Sequence, residues 1–198
     1  MKSPNSEVIF DKKAIQSKVK RIARKIVSWF RTKNEETLNL VSVLEGARPF
    51  TRDLVKNLKK LIPKVQIKIH EIRVIGTKGA KLLKNRKWQM VTLDRKAIRH
   101  FPVLIVDDLV DSGLTLQTLK KEIQRLGAPE VKTAVFLKKY KSHGGPVDFC
   151  GIELGLNHKK LARKGIKDYW LFGYGMDLNG RHRKSKEIGW VEIRKEGK

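Results

Sequence analysis

Short apolar runs alternate with amphipathic segments along most of this 198-residue chain. That alternation predicts an α/β fold with a mainly parallel twisted sheet flanked by helices. Two further observations agree. The run VLIVDD (103–108) has the length and composition of a buried strand, and it leads through LVDSG into a helical pattern closed by Gly127. No internal repeat, low-complexity tract or linker interrupts the chain, so one domain over residues 1–198 is expected.

Taken in order, Asp11 to Phe30 sets Ile15, Val19, Ile22, Ala23, Ile26, Val27 and Phe30 three to four residues apart. That spacing predicts an amphipathic helix with Lys and Arg outside. Thr37–Leu44 (TLNLVSVL) reads as a buried strand, followed by EGARP and a helix over Thr51–Leu61. Val65–Ile75 alternates as VQIKIHEIRVI, the period of a strand. GTKGAKLLKNRKW, rich in Gly and Lys, then reads as a mobile loop or hairpin over about residues 75–90. The strand at 103–108 and a helix over Leu114–Leu126 come next, then a strand over Val131–Leu137 and a basic loop. A short strand in VDFCGIEL (147–154), a basic insertion NHKKLARKGIK (157–167) and a strand in YWLFGYG (169–175) precede polar DLNGRHR.

Composition excludes several classes of function. A lone Cys150 leaves no internal disulfide and no cysteine-based zinc site. His70, His100, His143, His158 and His182 are too scattered for metal-ligand spacing. No apolar run approaches the roughly 18 residues of a membrane span and no signal-type segment stands at the start, so a soluble, cytoplasmic protein without a membrane partner is expected. Lys and Arg number 45 against 20 Asp and Glu, a net charge of +25. Such a charge suits an anionic partner, nucleic acid or a phosphorylated metabolite. It is equally the result of lysines filling solvated faces, since they are spread along the whole chain.

The chemistry concentrates at the predicted carboxyl end of the 103–108 strand. Asp107 and Asp108 are delivered side by side, and Asp111-Ser112-Gly113-Leu114-Thr115 then runs into a helix N-terminus. Converging backbone N–H groups, two hydroxyls and the positive helix end make a phosphate cradle. Adjacent carboxylates suit a diol, or a Mg²⁺ ion shared with one. The loop is not the P-loop of nucleotide triphosphatases, because G-x-x-x-x-G-K-[ST] is absent.

This run resembles the phosphoribosyl-diphosphate (PRPP) signature of the type I phosphoribosyltransferases. From about Val8 to Trp190 the chain is similar to one branch, the hypoxanthine–guanine (6-oxopurine) phosphoribosyltransferases. VIFDKKAIQSKVKRIARKI resembles that branch's first helix and SVLEGARPFTRDL its pyrophosphate-loop segment. FLKKY and WLFGYGMDLNGRHR resemble its purine-binding strand ends. The resemblance implies the type I fold with a small irregular hood from the N- and C-terminal segments, and a mobile active-site loop at about 75–90. It implies conversion of a 6-oxopurine and PRPP to the nucleoside 5′-monophosphate and pyrophosphate with Mg²⁺, in a dimer or tetramer.

The same resemblance implies roles position by position. Asp107 and Asp108 would hold the ribose hydroxyls, directly or through magnesium, and Asp111 would act as general base or proton relay beside purine N7. Ser112, Gly113, Leu114 and Thr115 would bind the 5′-phosphate, and Glu45-Gly46 the pyrophosphate through the backbone. Lys139 would donate to the purine 6-oxo group. Trp170 would stack on the base and Leu171 offer backbone contacts to its edge. Asp177 would serve the purine side of the site and a second magnesium, and Arg183 the leaving pyrophosphate. Read by pattern alone, Trp170 at a strand start is a core candidate and Asp177-Leu-Asn-Gly a turn.

Two segments depart from the family's pattern. Glu45 stands where Lys or another non-acidic residue is usual, and a carboxylate beside pyrophosphate is unfavourable unless a cation intervenes. Gly76-Thr77 stands where the mobile loop normally begins Ser-Tyr; Thr77, Lys78 and Lys81 are the candidate substitutes. The alternative reading, from another class, is a PRPP- or nucleotide-sensing regulator that binds RNA or DNA through its basic surface. Turnover needs Lys139, Asp177 and Arg183 together, and a sensor does not.

Overall fold

Asp11 separates a four-residue strand from the first helix. Its side chain accepts a hydrogen bond from the Ala14 N–H at 2.7 Å, capping the helix that follows. The resemblance of VIFDKK to a helix start therefore needs correcting: Glu7–Phe10 is strand β1, and helix α1 begins after it at Lys12 and runs to Arg31. The computed structural model describes residues 7–75, 87–139, 147–154, 169–178 and 180–192. The candidate substitutes Thr77, Lys78 and Lys81, and the 157–167 insertion, lie outside the described residues.

Strand β2 (Thr37–Leu44) is buried at every position, and its polar Asn39 and Ser42 are satisfied there by hydrogen bonds, Ser42 with Thr51 at 2.8 Å. Helix α2 spans Arg48–Leu61, three residues more at its start than expected, because Pro49 falls in the first turn where no N–H partner is needed. Strand β3 (Gln66–Ile75) and strand β4 (Lys87–Thr92) pair antiparallel, which agrees with the hairpin rather than the loop reading of this segment and places Lys87 and Trp88 on an edge strand. Helix α3 (Arg95–His100) was not expected; Asp94 caps it by accepting from the Lys96 and Ala97 N–H groups. Strand β5 covers Val103–Val110 and helix α4 Leu114–Arg125, the latter closed by Gly127 at φ 91° with the Ala128 N–H reaching back to the Ile123 carbonyl. Strands β6 (Val131–Lys139), β7 (Phe149–Leu154), β8 (Tyr169–Phe172) and β9 (Ile188–Glu192) complete the described elements.

The main sheet has six strands in the order β4-β3-β2-β5-β6-β7, parallel except at β4. Alternation along each strand feeds two cores. Leu38, Leu40, Leu104, Val106 and Phe136 face α1 and α2, while Val41, Ile105 and Val135 face α3 and α4 through Ile98, Leu116, Leu119 and Ile123. Phe136 lies 5.4 Å from the Phe50 ring and 5.0 Å from Tyr174, joining sheet, α2 and the turn after β8. A second sheet, β1-β9-β8, is antiparallel and unites the two ends of the chain: Glu7 pairs with Trp190, and Trp190 with Leu171.

From β2 the chain turns to β3 on one side, and later returns to place β5 on the other. The crevice at the carboxyl ends of β2 and β5 is therefore the point where the winding reverses, the place where open α/β sheets bind ligands.

A buried polar chain fixes β2, β3 and α3 together. The Asp94 N–H donates to His70 Nδ1 at 3.3 Å, so the ring proton sits on Nε2 and is donated to Asn39 Oδ1 at 2.9 Å. Asn39 Nδ2 in turn donates to the Ala97 carbonyl. Burial lowers the His70 pKa, against an opposing pull from the Asp94 carboxylate. Below about pH 6.5 the unfolded chain gains a proton that the folded one resists. This contribution is thus complete above that pH and declines as pH falls toward the lowered folded value. His70→Gln should be less stable than the wild type by about 1–2 kcal/mol at pH 8. That gap should narrow between pH 6.5 and 5.5 in urea unfolding; a gap constant with pH would contradict the assignment.

Candidate active site

At the reversal point a cavity of about 340 Å³ opens between two walls. One wall is the carboxyl ends of the parallel strands, with Glu45 and Gly46 after β2, Asp107 and Asp108 on β5, Asp111 beyond it and Lys139 ending β6. Trp170, Leu171, Met176, Asp177 and Arg183 form the other, on β8 and the turns that follow. Sequence reasoning singled out each of these residues except Met176, and the fold brings them to one cavity.

Strand β5 runs two residues past its expected end, so Asp107 and Asp108 still belong to the sheet, with Asp107 opposite Val135. Asp107 is buried and Asp108 half-buried. Loss of water raises both pKa values; the charge of Asp108 adds to the rise at Asp107, while Arg183 works against it at Asp108. The Asp108 N–H donates to Asp107 Oδ1 at 3.0 Å. Two hard oxygen donors that burial discourages from carrying charge are suited to a divalent cation such as Mg²⁺. Asp177 belongs to the opposite wall. Its Oδ2 accepts the Gly180 N–H at 3.0 Å, and Arg183 Nη2 lies 3.4 Å from Oδ1 without hydrogen-bond alignment. Among the described residues no three His, Cys, Asp or Glu side chains gather as one metal centre, so Asp107, Asp108 and Asp177 do not form a single ligand set.

Gly113, at φ 74°, turns the chain from β5 into α4 without a side-chain cap. The first N–H groups of α4 thus face the loop Asp111-Ser112-Gly113, whose two side chains are exposed, with half-buried Thr115 the second residue of the helix. These cradle residues beyond Asp111 do not line the cavity.

Lys139 donates to the Tyr169 carbonyl at 3.3 Å and lies 5.2 Å over the Tyr169 ring, an ammonium with donors to spare. Trp170 is not a core residue: it is 50% exposed, held by its Nε1–H donating to the Asp177 carbonyl at 2.6 Å. Its ring is a flat apolar surface at the cavity, whereas Leu171 beside it is buried.

Glu45 carries its own counter-charges. Arg73 Nη2 donates to Oε1 at 2.7 Å and Arg48 Nη1 lies 3.3 Å from Oε2. The Arg73 hydrogen bond, with the charges of Arg48, Arg73 and Arg183, lowers the Glu45 pKa despite some desolvation. Arg48 also reaches Glu71 at 3.4 Å, so the turn after β2 is braced from β3 and α2. The sequence offered Arg48, in EGARP, and Arg73 without any sign that they converge. The Leu44–Glu45 peptide is cis.

Gly46 and Gly175 allow the two walls to meet. A side chain on Gly46 would overlap the Asp108 carboxylate, and one on Gly175 would overlap the Gly46 carbonyl oxygen. Arg183 locks the same contact by donating to the Gly175 carbonyl at 2.8 Å.

Residues 5–152 match the phosphoribosyl transferase domain family. The chain is 28% identical over 185 residues to a hypoxanthine-guanine phosphoribosyltransferase of Dictyostelium discoideum, covering 92% of this chain and 93% of that one. A Bacillus subtilis (strain 168) protein of the same name is 26% identical over 194 residues, covering 96% and 94%. A solved structure of the hypoxanthine phosphoribosyl transferase of Trypanosoma cruzi shares the fold, with a TM-score of 0.79 at 24% identity over 98% of this chain and 94% of that one.

The glycine contact yields a paired stability test. Gly175→Ala, with φ 101° and an occupied space, should cost about 3 kcal/mol or more. Gly180→Ala, at φ 76° with nothing within 4 Å, should cost only about 1–2 kcal/mol. Urea midpoints at unchanged slope measure both; equal losses would mean that the two walls do not depend on that contact.

Proposed function

The chain belongs to the phosphoribosyl transferase domain family, and on that footing we propose that it is a purine-salvage enzyme. Its reaction joins hypoxanthine or guanine to PRPP, giving IMP or GMP and pyrophosphate. The observation that carries this reading is the convergence of Lys139, Trp170, Asp177 and Arg183 on the cavity that holds Asp107, Asp108 and Asp111. A regulator that only senses PRPP needs the carboxylates and the cradle, but not the base-binding and leaving-group residues.

Ser112, Gly113, Leu114 and Thr115 receive the 5′-phosphate, where backbone N–H groups and the α4 N-terminus favour an anion. Asp107 and Asp108 hold the ribose diol and would hold a Mg²⁺ ion, which supplies charge neutralisation between the carboxylates and PRPP. Lys139 donates to the 6-oxo group. A 6-amino purine cannot accept that bond, so adenine is refused. Trp170 covers the face of the base and the Leu171 backbone meets its edge. Asp111 accepts or relays the N7 proton as the glycosidic bond forms at N9. Arg183 stands where pyrophosphate departs, and the Gly46 backbone borders the same place. Asp177 holds Arg183 there and is the candidate for a second Mg²⁺ ion. Paired with Arg48 and Arg73, Glu45 adds little net repulsion to the departing anion. A cytoplasmic homo-oligomer, dimer or tetramer, belongs to the same proposal.

Monophosphate formation from PRPP and Mg²⁺ with hypoxanthine, guanine, xanthine and adenine separately tests the reaction. Product from an oxopurine and none from adenine is expected, and no turnover with any base would overturn the reading. Asp111→Asn should lower kcat about 10²–10⁴-fold. Lys139→Met should reduce kcat/KM for hypoxanthine by about tenfold to a hundredfold, since a hydrogen bond from a charged donor is lost. Unchanged discrimination between hypoxanthine and adenine in Lys139→Met would remove that lysine from the specificity assignment.

A further inference from the structure

A second and larger cavity, of about 510 Å³, lies between α1, α2 and the segment leading into β9. Six lysines line it: Lys12 and Lys20 from α1, Lys56 and Lys60 from α2, and Lys184 and Lys186 beyond the active-site wall. Among the described residues none of the six has a carboxylate within ion-pair distance. The one acidic residue in the lining, Asp53, is bonded to three other lining residues and not to the lysines. Its Oδ2 accepts Gln16 at 2.6 Å and Tyr174 at 3.0 Å, and its Oδ1 accepts Arg52 at 3.2 Å.

Lysines on a convex face repel one another weakly through water. Here they converge on a hollow from three segments, with the one nearby carboxylate already bonded. Helical spacing makes the arrangement regular: Lys12 and Lys20 are eight residues apart on α1, and Lys56 and Lys60 one turn apart on α2, about 6 Å along the axis.

We propose that this cleft is a second anion site, separate from the active-site cavity, which takes a compact oligophosphate. Three features define that ligand. Six ammonium groups match about three or four phosphates at −1.5 to −2 each. The volume is that of a nucleotide-sized molecule. The lining has no exposed aromatic ring: Tyr174 is 4% exposed and its hydroxyl is bonded to Asp53. It therefore lacks the stacking platform that single-stranded nucleic acid uses. The site rests on charge and shape, independently of the catalytic reading. Arg183 lines both cavities and so is unsuitable as a test position.

Titration calorimetry with inorganic tripolyphosphate at about 0.15 M salt, where unspecific surface attraction is screened, tests it on the full chain. Lys56→Ala/Lys60→Ala should weaken binding at least tenfold. Ser112→Ala/Thr115→Ala, in the active-site cradle, should leave this binding event unchanged. Both lysines are exposed, so an unaltered melting temperature is expected and separates lost binding from lost folding. No binding, or binding abolished by the Ser112/Thr115 pair and untouched by the lysine pair, would overturn the proposal. So would preferential binding of a 20-nucleotide RNA over tripolyphosphate, which would make the lysines part of an extended nucleic-acid surface.

Discussion

Two carboxylates side by side at the end of a buried strand set the terms for the rest of this structure. Asp107 and Asp108 follow four fully buried residues of β5 and are themselves removed from most solvent. Loss of hydration opposes ionisation of both, and the charge of Asp108 opposes that of Asp107 further. A strand end so unfavourable to charge is understandable where cations and hydroxyls come to meet it. Arg183 already does so from the opposite wall. The close approach of Gly46 to Asp108, and of Gly175 to Gly46, keeps that geometry tight.

The topology explains why so many polar groups reach one place. The reversal between β2 and β5 leaves the ends of two neighbouring strands diverging to opposite connections. The turns after β2 and β5, and Lys139 at the last position of β6, all meet in that crevice. The small antiparallel sheet supplies the second wall, and because β1 and β9 pair across the whole chain, it is anchored at both ends. Phe136 and Tyr174 couple the two sheets through ring contacts, so the base-facing wall is seated on the main core.

Much of this was legible in the residues because β2, β5 and β6 are short, largely apolar runs, β3 alternates with the period of a strand and α1 has a clean helical period. Strands β1 and β9 were not, since four or five residues carry little periodic signal and their partner lies at the other end of the chain. Helix α3 is six residues long and is fixed by the Asp94 cap, a local hydrogen bond that composition does not announce. The candidate site was readable in the Asp107–Thr115 run, where strand, loop and helix start are contiguous. The bracing of Glu45 was not, because Arg48 and Arg73 come from different elements and meet it only in the fold. Trp170 shows the same limit: pattern alone made it a core candidate, and its exposure depends on a hydrogen bond to Asp177 seven residues away.

In the function proposed above, the buried carboxylate pair holds PRPP through a shared divalent cation. Calorimetric binding of PRPP with and without Mg²⁺, on the wild type and on Asp107→Asn/Asp108→Asn, tests it most directly. Tight binding to the wild type only with Mg²⁺, and loss of most of the Mg²⁺-dependent affinity in the double variant, are expected. Equal affinity with and without Mg²⁺, or a double variant that keeps the full Mg²⁺ effect, would contradict it.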